Sequence, residues 1–336
     1  RQDPGGRGLA DYQRRRGDFR PRQLQSAAES LANNARVVGI VTGFCACNDT
    51  IAAAETDGPP GALFLAKSLA ELGIDVHLIS DSYGLPLLQA GCDLWNLPRD
   101  WILEFPIEHA SSDERARDKE TDAFVTWYFS RGPGRSLTHL VAVERAGPSH
   151  TITSLKAQDR NGPPPIEDFD ALVPRDRRDL CHNMSGRPIH DRTANTHRLF
   201  EWIEQRGLPI HTIGVGDGGN EIGMGSIPWE SLRAAVAVGP GGRVACRIGA
   251  DWTLTAGVSN WGAYALAASV CGLRGRLDAL ASLNCDAQRL LIETLVREAG
   301  AVDGITMRRE PTVDGLPLGE YLRILAGIRA AFGLPP

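Results

Sequence analysis

The sequence has no long hydrophobic run, no excess of positive charge and no paired cysteine motif, and each absence removes a class of function. Apolar runs break within about ten residues, against roughly twenty needed to span a bilayer, so no membrane partner is expected. The 336 residues carry 36 Lys and Arg against 41 Asp and Glu, a formal net charge of −5. No global basic field therefore invites nucleic acid. The Trp and Tyr residues are not interleaved with Arg, as a base-stacking platform would require. Seven cysteines, an odd number at irregular spacing, argue for reduced thiols and a cytoplasmic location rather than a disulfide framework. Cys45 and Cys47 stand one residue apart, too close for half a zinc ribbon, and a βα loop with small side chains is expected there. A P-loop Lys motif is absent as well.

What is present reads as an α/β fold, a mostly parallel twisted sheet with helices on both faces (Rossmann-like) and a helical C-terminal third. Val37–Gly43 is a buried strand, Ala62–Leu72 a helix ended by Gly73, and Asp75–Ser80 a second strand, together one βαβ unit. The pattern recurs with a helix over Asp113–Ser130, a strand over Thr138–Val143, a helix over Arg192–Gln205 and a strand over Pro209–Val215. Further strands are expected at Ala234–Val238 and Arg243–Ile248, then helices over Trp261–Cys271, Asp286–Ala299 and Leu318–Phe332. Residues 1–23 read as a flexible lead-in with no chemistry. Residues 24–336 read as one domain, of one or two lobes, with a long loop insertion over about 147–188.

In open parallel sheets ligands lie beyond the carboxyl ends of the strands, so the polar residues that follow each strand are the candidates. They are Thr42 and Gly43, Asp81 and Ser82, Glu144 and Arg145, then Asp217, Asn220 and Glu221, and finally Ser259, Asn260 and Trp261. Within this set Gly214-x-Gly216-x-x-Gly219 matches the dinucleotide fingerprint by spacing. Asp217 and Glu221 argue against that match. At about 4 Å and an effective dielectric of about 20, each carboxylate–phosphate contact costs roughly 4 kcal/mol. The acidic residue expected some twenty positions on is also missing, because that stretch is Ala234-Ala-Val-Ala-Val-Gly239. An ammonium group, or a divalent cation bridging carboxylates to an anionic substrate, suits the loop better. A Gly-rich turn with Asp217 capping the next helix is the plainer alternative. Adjacent strand residues face opposite ways, so at most one of Glu144 and Arg145 enters a crevice. His150, His182 and His190 lack metal-ligand spacing.

Five segments carry a resemblance: Glu55-Thr-Asp-Gly-Pro-Pro-Gly-Ala62, Glu144-Arg-Ala-Gly147, Asn183-Met-Ser-Gly186, Gly216-Asp-Gly-Gly-Asn-Glu-Ile-Gly-Met-Gly225 and Ala256-Gly-Val-Ser-Asn-Trp-Gly262. In this order they resemble the D-glutamate cyclase C-terminal domain family, from about Val37 to Phe332. The resemblance implies a lyase that closes D-glutamate to 5-oxo-D-proline with loss of water, without an organic cofactor and with a divalent metal left open. Asp217 and Glu221 are then the expected acid and base, and the ligands of a metal if one binds. Glu144 or Arg145 would orient the substrate. Thr42, Gly43, Asp57, Asn183, Gly218, Gly219, Asn220, Ser259 and Asn260 would complete the pocket for a small amino acid. The chain departs from the family at Cys45-Ala-Cys-Asn-Asp49 and over Gly147–Asp179. Two other readings remain: a Mg²⁺-dependent phosphoryl-transfer or hydrolytic enzyme with Asp81, Asp217 and Glu221 as ligands, and a non-catalytic amino-acid sensor. The sequence sets no oligomeric state, a homo-oligomer included.

Overall fold

The computed structural model describes residues 3–9, 19–107, 119–236 and 240–336. In chain order the strands are β1 (Val37–Thr42), β2 (Cys45–Cys47), β3 (Ala52–Ala54), β4 (Asp75–Ser80), β5 (Ile102–Glu104), β6 (His139–Val143), β7 (His211–Gly216), β8 (Trp252–Thr255), β9 (Thr312–Val313) and β10 (Leu316–Pro317). Six of them form one sheet in the order β5-β4-β1-β6-β7-β8, and every pairing within it is parallel. This is the expected Rossmann-like α/β architecture.

Alternation along the central strands sorts their side chains into two cores. Val38 and Ile40 of β1, with Val141 and Val143 of β6, join a cluster covered by the helices Phe19–Asn34, Pro59–Glu71, Ser259–Leu273, Cys285–Ala299 and Leu318–Ala331. Val37 and Val41, with Leu140 and Ala142, join a second cluster under Lys119–Ser130 and His197–Arg206. A sheet buried on both faces needs such continuous apolar strands, and β1 is buried at all its positions. From β1 the chain moves outward to β4 and β5, then crosses back to β6, β7 and β8. The β1 and β6 connections therefore diverge, and their carboxyl ends form the switch point beside which ligands bind in such sheets.

Four expectations are corrected. Ala234 and Ala235 end the helix Trp229–Ala235 and Gly241–Val244 is a helical turn, so among the described residues neither the strand expected at Ala234–Val238 nor that at Arg243–Ile248 is there; residues 237–239 lie outside the described residues. Trp229 explains the outcome, because its buried ring donates Nε1–H to the Gly242 carbonyl at 2.7 Å and fixes helix to turn. Cys45–Cys47 pairs with Ala52–Ala54 as a small antiparallel hairpin rather than a bare loop. Residues 147–188 include two short helices, Ile152–Ala157, closed by a reciprocal Thr151–Ser154 capping box, and Ile166–Leu172, anchored by buried Phe169. Residues 3–9 are packed, with Leu9 fully buried. The remainder of the expected lead-in before Phe19, and of the Asp113–Ser130 helix before Lys119, lies outside the described residues.

Candidate active site

The Gly-rich loop after β7 answers the pyrophosphate question by its own hydrogen bonds. Its amides point inward at Glu221: Asp217 N–H and Gly218 N–H donate to Oε1 at 3.2 and 2.6 Å, and Gly219 N–H donates to Oε2 at 2.7 Å. A backbone nest that could hold an anion is thus filled by the chain's own carboxylate. The glycines serve this fold-back. A Cβ on Gly216 would lie 2.8 Å from the Glu221 carboxylate, and one on Gly214 would lie 2.4 Å from the Gly223 Cα, where the loop crosses its strand. The loop is zipped to the end of β6 by Ile222 N–H to the Arg145 carbonyl and Gly147 N–H to the Asn220 carbonyl. Glu144 stands in this junction with a φ of 44°, a left-handed conformation that costs a non-glycine residue energy and recurs at functional sites.

Two helix N-termini complete the wall by capping each other. Asp57 accepts from the Ser259 and Asn260 amides, both at 2.8 Å, at the start of Ser259–Leu273. Asn260 accepts in return from Gly58 N–H at 3.0 Å and Gly61 N–H at 2.7 Å, at the start of Pro59–Glu71. Each supplies an acceptor to orphan donors of the other helix. The exchange places Ser259 Oγ–H against Glu144 Oε2 at 2.5 Å. A ligand oxygen from each of Glu144, Asp217 and Glu221 lies within one 4.8 Å group, and Asp57, Asp217 and Asp314 form a second; Asp217 is common to both.

All these carboxylates are buried, and burial dominates their protonation. Asp57 is pushed up to about 7, by burial first and by Asp314 next. Glu144 is held well above the ordinary carboxylate range by burial and then by Glu221 and Asp57. Asp217 is also raised by burial, but there the next influence is the opposing guanidinium of Arg7. Glu55 is raised by burial, then by Asp314 and Asp57. At neutral pH the cluster therefore carries less negative charge than its number of acids, and its neutral members can donate hydrogen bonds.

The other expected residues separate into those near this cluster and those used elsewhere. Thr42 Oγ1 and Glu144 Cβ both crowd Gly58, and Thr42 Oγ1 is a buried atom without a hydrogen-bond partner, as is Asn220 Oδ1. Arg145 does not face the cluster. Its guanidinium is buried among Asp81 Oδ2 at 2.6 Å, the Gly43 carbonyl at 2.6 Å, the Ala194 carbonyl at 2.8 Å and Thr196 Oγ1 at 3.1 Å. The structure therefore corrects its orienting role to a strut. Gly43 serves that strut, packed against Ser80 and Gly84. Asp81 also accepts from Tyr83 and Ala194 amides, so it does not join Asp217 and Glu221 in one metal set. Asn183 Oδ1 accepts from Ser185 and Arg187 and closes its own turn; its neighbour His182 offers the carbonyl that takes Asn220 Nδ2. Buried His150 and His182 are lowered to about 3 and about 4, chiefly by burial.

Three participants are not among the expected site residues. Asp314 sits at φ 52° in the two-residue turn between β9 and β10, and Asp314-Gly315 between apolar residues is a hairpin signal that could have flagged it. Glu55 follows β3, and its carboxylate occupies the space a Cβ on Gly304 would need. Arg7 has no local signal. It nonetheless reaches Asp314 with two N–H bonds, at 2.8 and 3.0 Å, and Asp217 Oδ2 at 2.6 Å.

The oxygen-only donor set suits a hard divalent cation by type. Most of the oxygens, however, already accept from amides, from Ser259 or from Arg7.

A family model described as D-glutamate cyclase-like, C-terminal, matches residues 1–178 and 173–329. Among curated proteins, the mitochondrial D-glutamate cyclase of Homo sapiens is 31% identical over 276 residues, 80% of this chain and 37% of that protein. The chain thus spans well under half the length of this relative.

Proposed function

This chain belongs to the D-glutamate cyclase-like C-terminal family, and from that premise we propose that it is a lyase converting D-glutamate to 5-oxo-D-proline and water. The observation that carries the reading is the contrast between two neighbouring acids, Asp217 beside a guanidinium and Glu144 beside a hydroxyl. Burial raises both, but a cation in contact with one of two carboxyl groups favours ionisation of that one, which assigns the base and the acid. Asp217, in contact with the Arg7 guanidinium at 2.6 Å, is the base that takes a proton from the substrate ammonium. Glu144, kept neutral, is the acid that protonates the departing γ-carboxyl oxygen.

The balance is closed. The ammonium loses two protons, the amine nitrogen forms the C–N bond, and one carboxyl oxygen leaves as water with both protons. Approximation is largely supplied by the substrate, because the five-membered ring closes intramolecularly. What the protein adds is proton placement, with the Ser259 hydroxyl orienting Glu144 and the Thr42 hydroxyl and Asn220 carbonyl offering unspent polar atoms. Asp217 with Glu144 and Glu221, or with Asp57 and Asp314, would hold a divalent cation; such an ion polarises a carboxylate when bound. A cytoplasmic location remains part of this reading. Its support is that all seven cysteines are free.

The test is incubation with D-glutamate, L-glutamate and both 5-oxoproline enantiomers, followed by chiral analysis. Wild type should form 5-oxo-D-proline, and Asp217→Asn and Glu144→Gln should each lose about 10²–10⁴-fold in kcat while folded. Absence of product, or near-wild-type rates in both variants, would remove the reading.

A further inference from the structure

A dicarboxylate substrate faces an obstacle here, since the crevice is built from carboxyl groups. Glu55, Asp57, Glu144, Asp217, Glu221 and Asp314 are each at most 7% exposed. An α-carboxylate cannot enter such a wall without a cation, and Arg145 is committed to Asp81 and to backbone carbonyls. Among the described residues, the cation in contact with the cluster is Arg7. Asp3 holds it in place, its carboxylate accepting from Arg7 N–H at 3.1 Å and Gly8 N–H at 2.7 Å. Asp314 aligns its guanidinium through two parallel bonds, leaving one edge on Asp217 Oδ2.

We propose that the Arg7–Asp217 contact is the receptor for the zwitterionic head of the amino-acid substrate, which opens it and inserts. The inference rests on the cyclase reading and deepens it. On insertion the α-carboxylate takes the Nη1 edge that Asp217 Oδ2 occupies in the free protein, and Asp217 takes the α-ammonium. The exchange leaves neither charge uncompensated, the condition under which buried ions are tolerated. Asp314 keeps the guanidinium aimed throughout by its own bidentate pair, and the α-carboxylate takes the remaining Nη1 hydrogen in a single charge-assisted bond. Asn220 Oδ1, buried and unpartnered in the loop that carries Asp217, is a further acceptor for the ammonium. Arg7 thereby acts as a specificity-determining residue, and Asp217 meets the nitrogen that its base role requires.

The test compares D-glutamate with 4-aminobutyrate, which closes the same ring but lacks the α-carboxylate, in wild type, Arg7→Ala and Arg7→Lys. The ratio of the two kcat/KM values is independent of how much enzyme is folded. Wild type should prefer D-glutamate by about a hundredfold or more, Arg7→Ala should lose most of that preference, and Arg7→Lys should keep an intermediate share. An unchanged ratio in Arg7→Ala, or faster turnover of D-glutamate by it, would overturn the proposal by showing Arg7 to be a bystander or an obstruction. Thermal shift with D-norvaline, which carries the head but cannot cyclise, separates this proposal from the cyclase reading. A shift lost in Arg7→Ala supports the receptor even if no 5-oxoproline forms, whereas an equal shift in both proteins rejects it even if turnover is seen.

Discussion

Two arginines show how far surroundings decide what one residue type does. Arg145 comes from the end of β6, beside Glu144, yet its donors are spent on Asp81 and on the backbone around Gly43 and Ala194. Arg7 comes from outside the sheet and meets the acids. Removing Arg145 would leave the Asp81 carboxyl buried without its cation, so Arg145→Ala should cost about 3–5 kcal/mol of stability in urea denaturation. A loss below about 1 kcal/mol would show that the strut is dispensable. Two acids of the Gly-rich loop make a similar contrast. Glu221 accepts three amides, and Glu221→Gln replaces one acceptor oxygen with a donor, which should destabilise the fold by about 1–3 kcal/mol. Asp217 accepts none that would be orphaned in this way, so Asp217→Asn should hold or raise stability while activity falls. Equal melting temperatures for the two variants would contradict this division of labour.

At the scale of elements, the site exists because helices and strands end together. Pro59–Glu71 and Ser259–Leu273 approach so closely that a Cβ on Gly61 would lie 2.8 Å from the Asn260 Cα, and Asp57 and Asn260 exchange caps across that approach. Asn260→Ala should therefore lower melting temperature and activity together, unlike Glu144→Gln, which should lower activity without lowering melting temperature; a folded, fully active Asn260→Ala would refute the coupling. The crevice was legible in the sequence because strand ends can be read from apolar runs, and the acids after β6 and β7 follow directly. The mutual caps were not legible, since a spacing of some two hundred residues has no local signature. Arg145 was misassigned because alternation says which way a side chain leaves a strand but not what waits there. Arg7 was missed because a polar, aperiodic segment reads as unstructured until its charge meets the buried acids. The run Ala234-Ala-Val-Ala-Val238 reads as a strand from its apolar residues alone, but its first two residues belong to the helix that Trp229 starts and anchors.

For the molecule as a whole, two sets of buried titratable groups act on stability from opposite sides. Asp57, Glu55, Glu144 and Asp217 have folded-state values raised above their unfolded ones. Their contribution is fully present below the unfolded value near 4 and is lost as pH rises, through about 7 for Asp57 and through the raised values of the others. His139 and His182 are lowered to about 4, His150 to about 3 and His197 well below its ordinary value, all chiefly by burial. Their contribution is present above the unfolded value near 6.5 and is lost as pH falls through the folded ones. Between roughly pH 4.5 and 6.5 the protons that unfolding releases from the acids offset those it binds at the histidines, so stability should be nearly flat there. Above that window, of these two sets only the acids still differ, and their share of stability should fall as the solution becomes alkaline. The prediction is a melting temperature that is highest at mildly acidic pH and declines from pH 7 to 9, with a shallower decline in Glu144→Gln. A melting temperature that climbs steadily from pH 6.5 to 8.5 would mean that the cluster is ionised and matched by cations, which would also withdraw the neutral acid that the lactam-forming step requires.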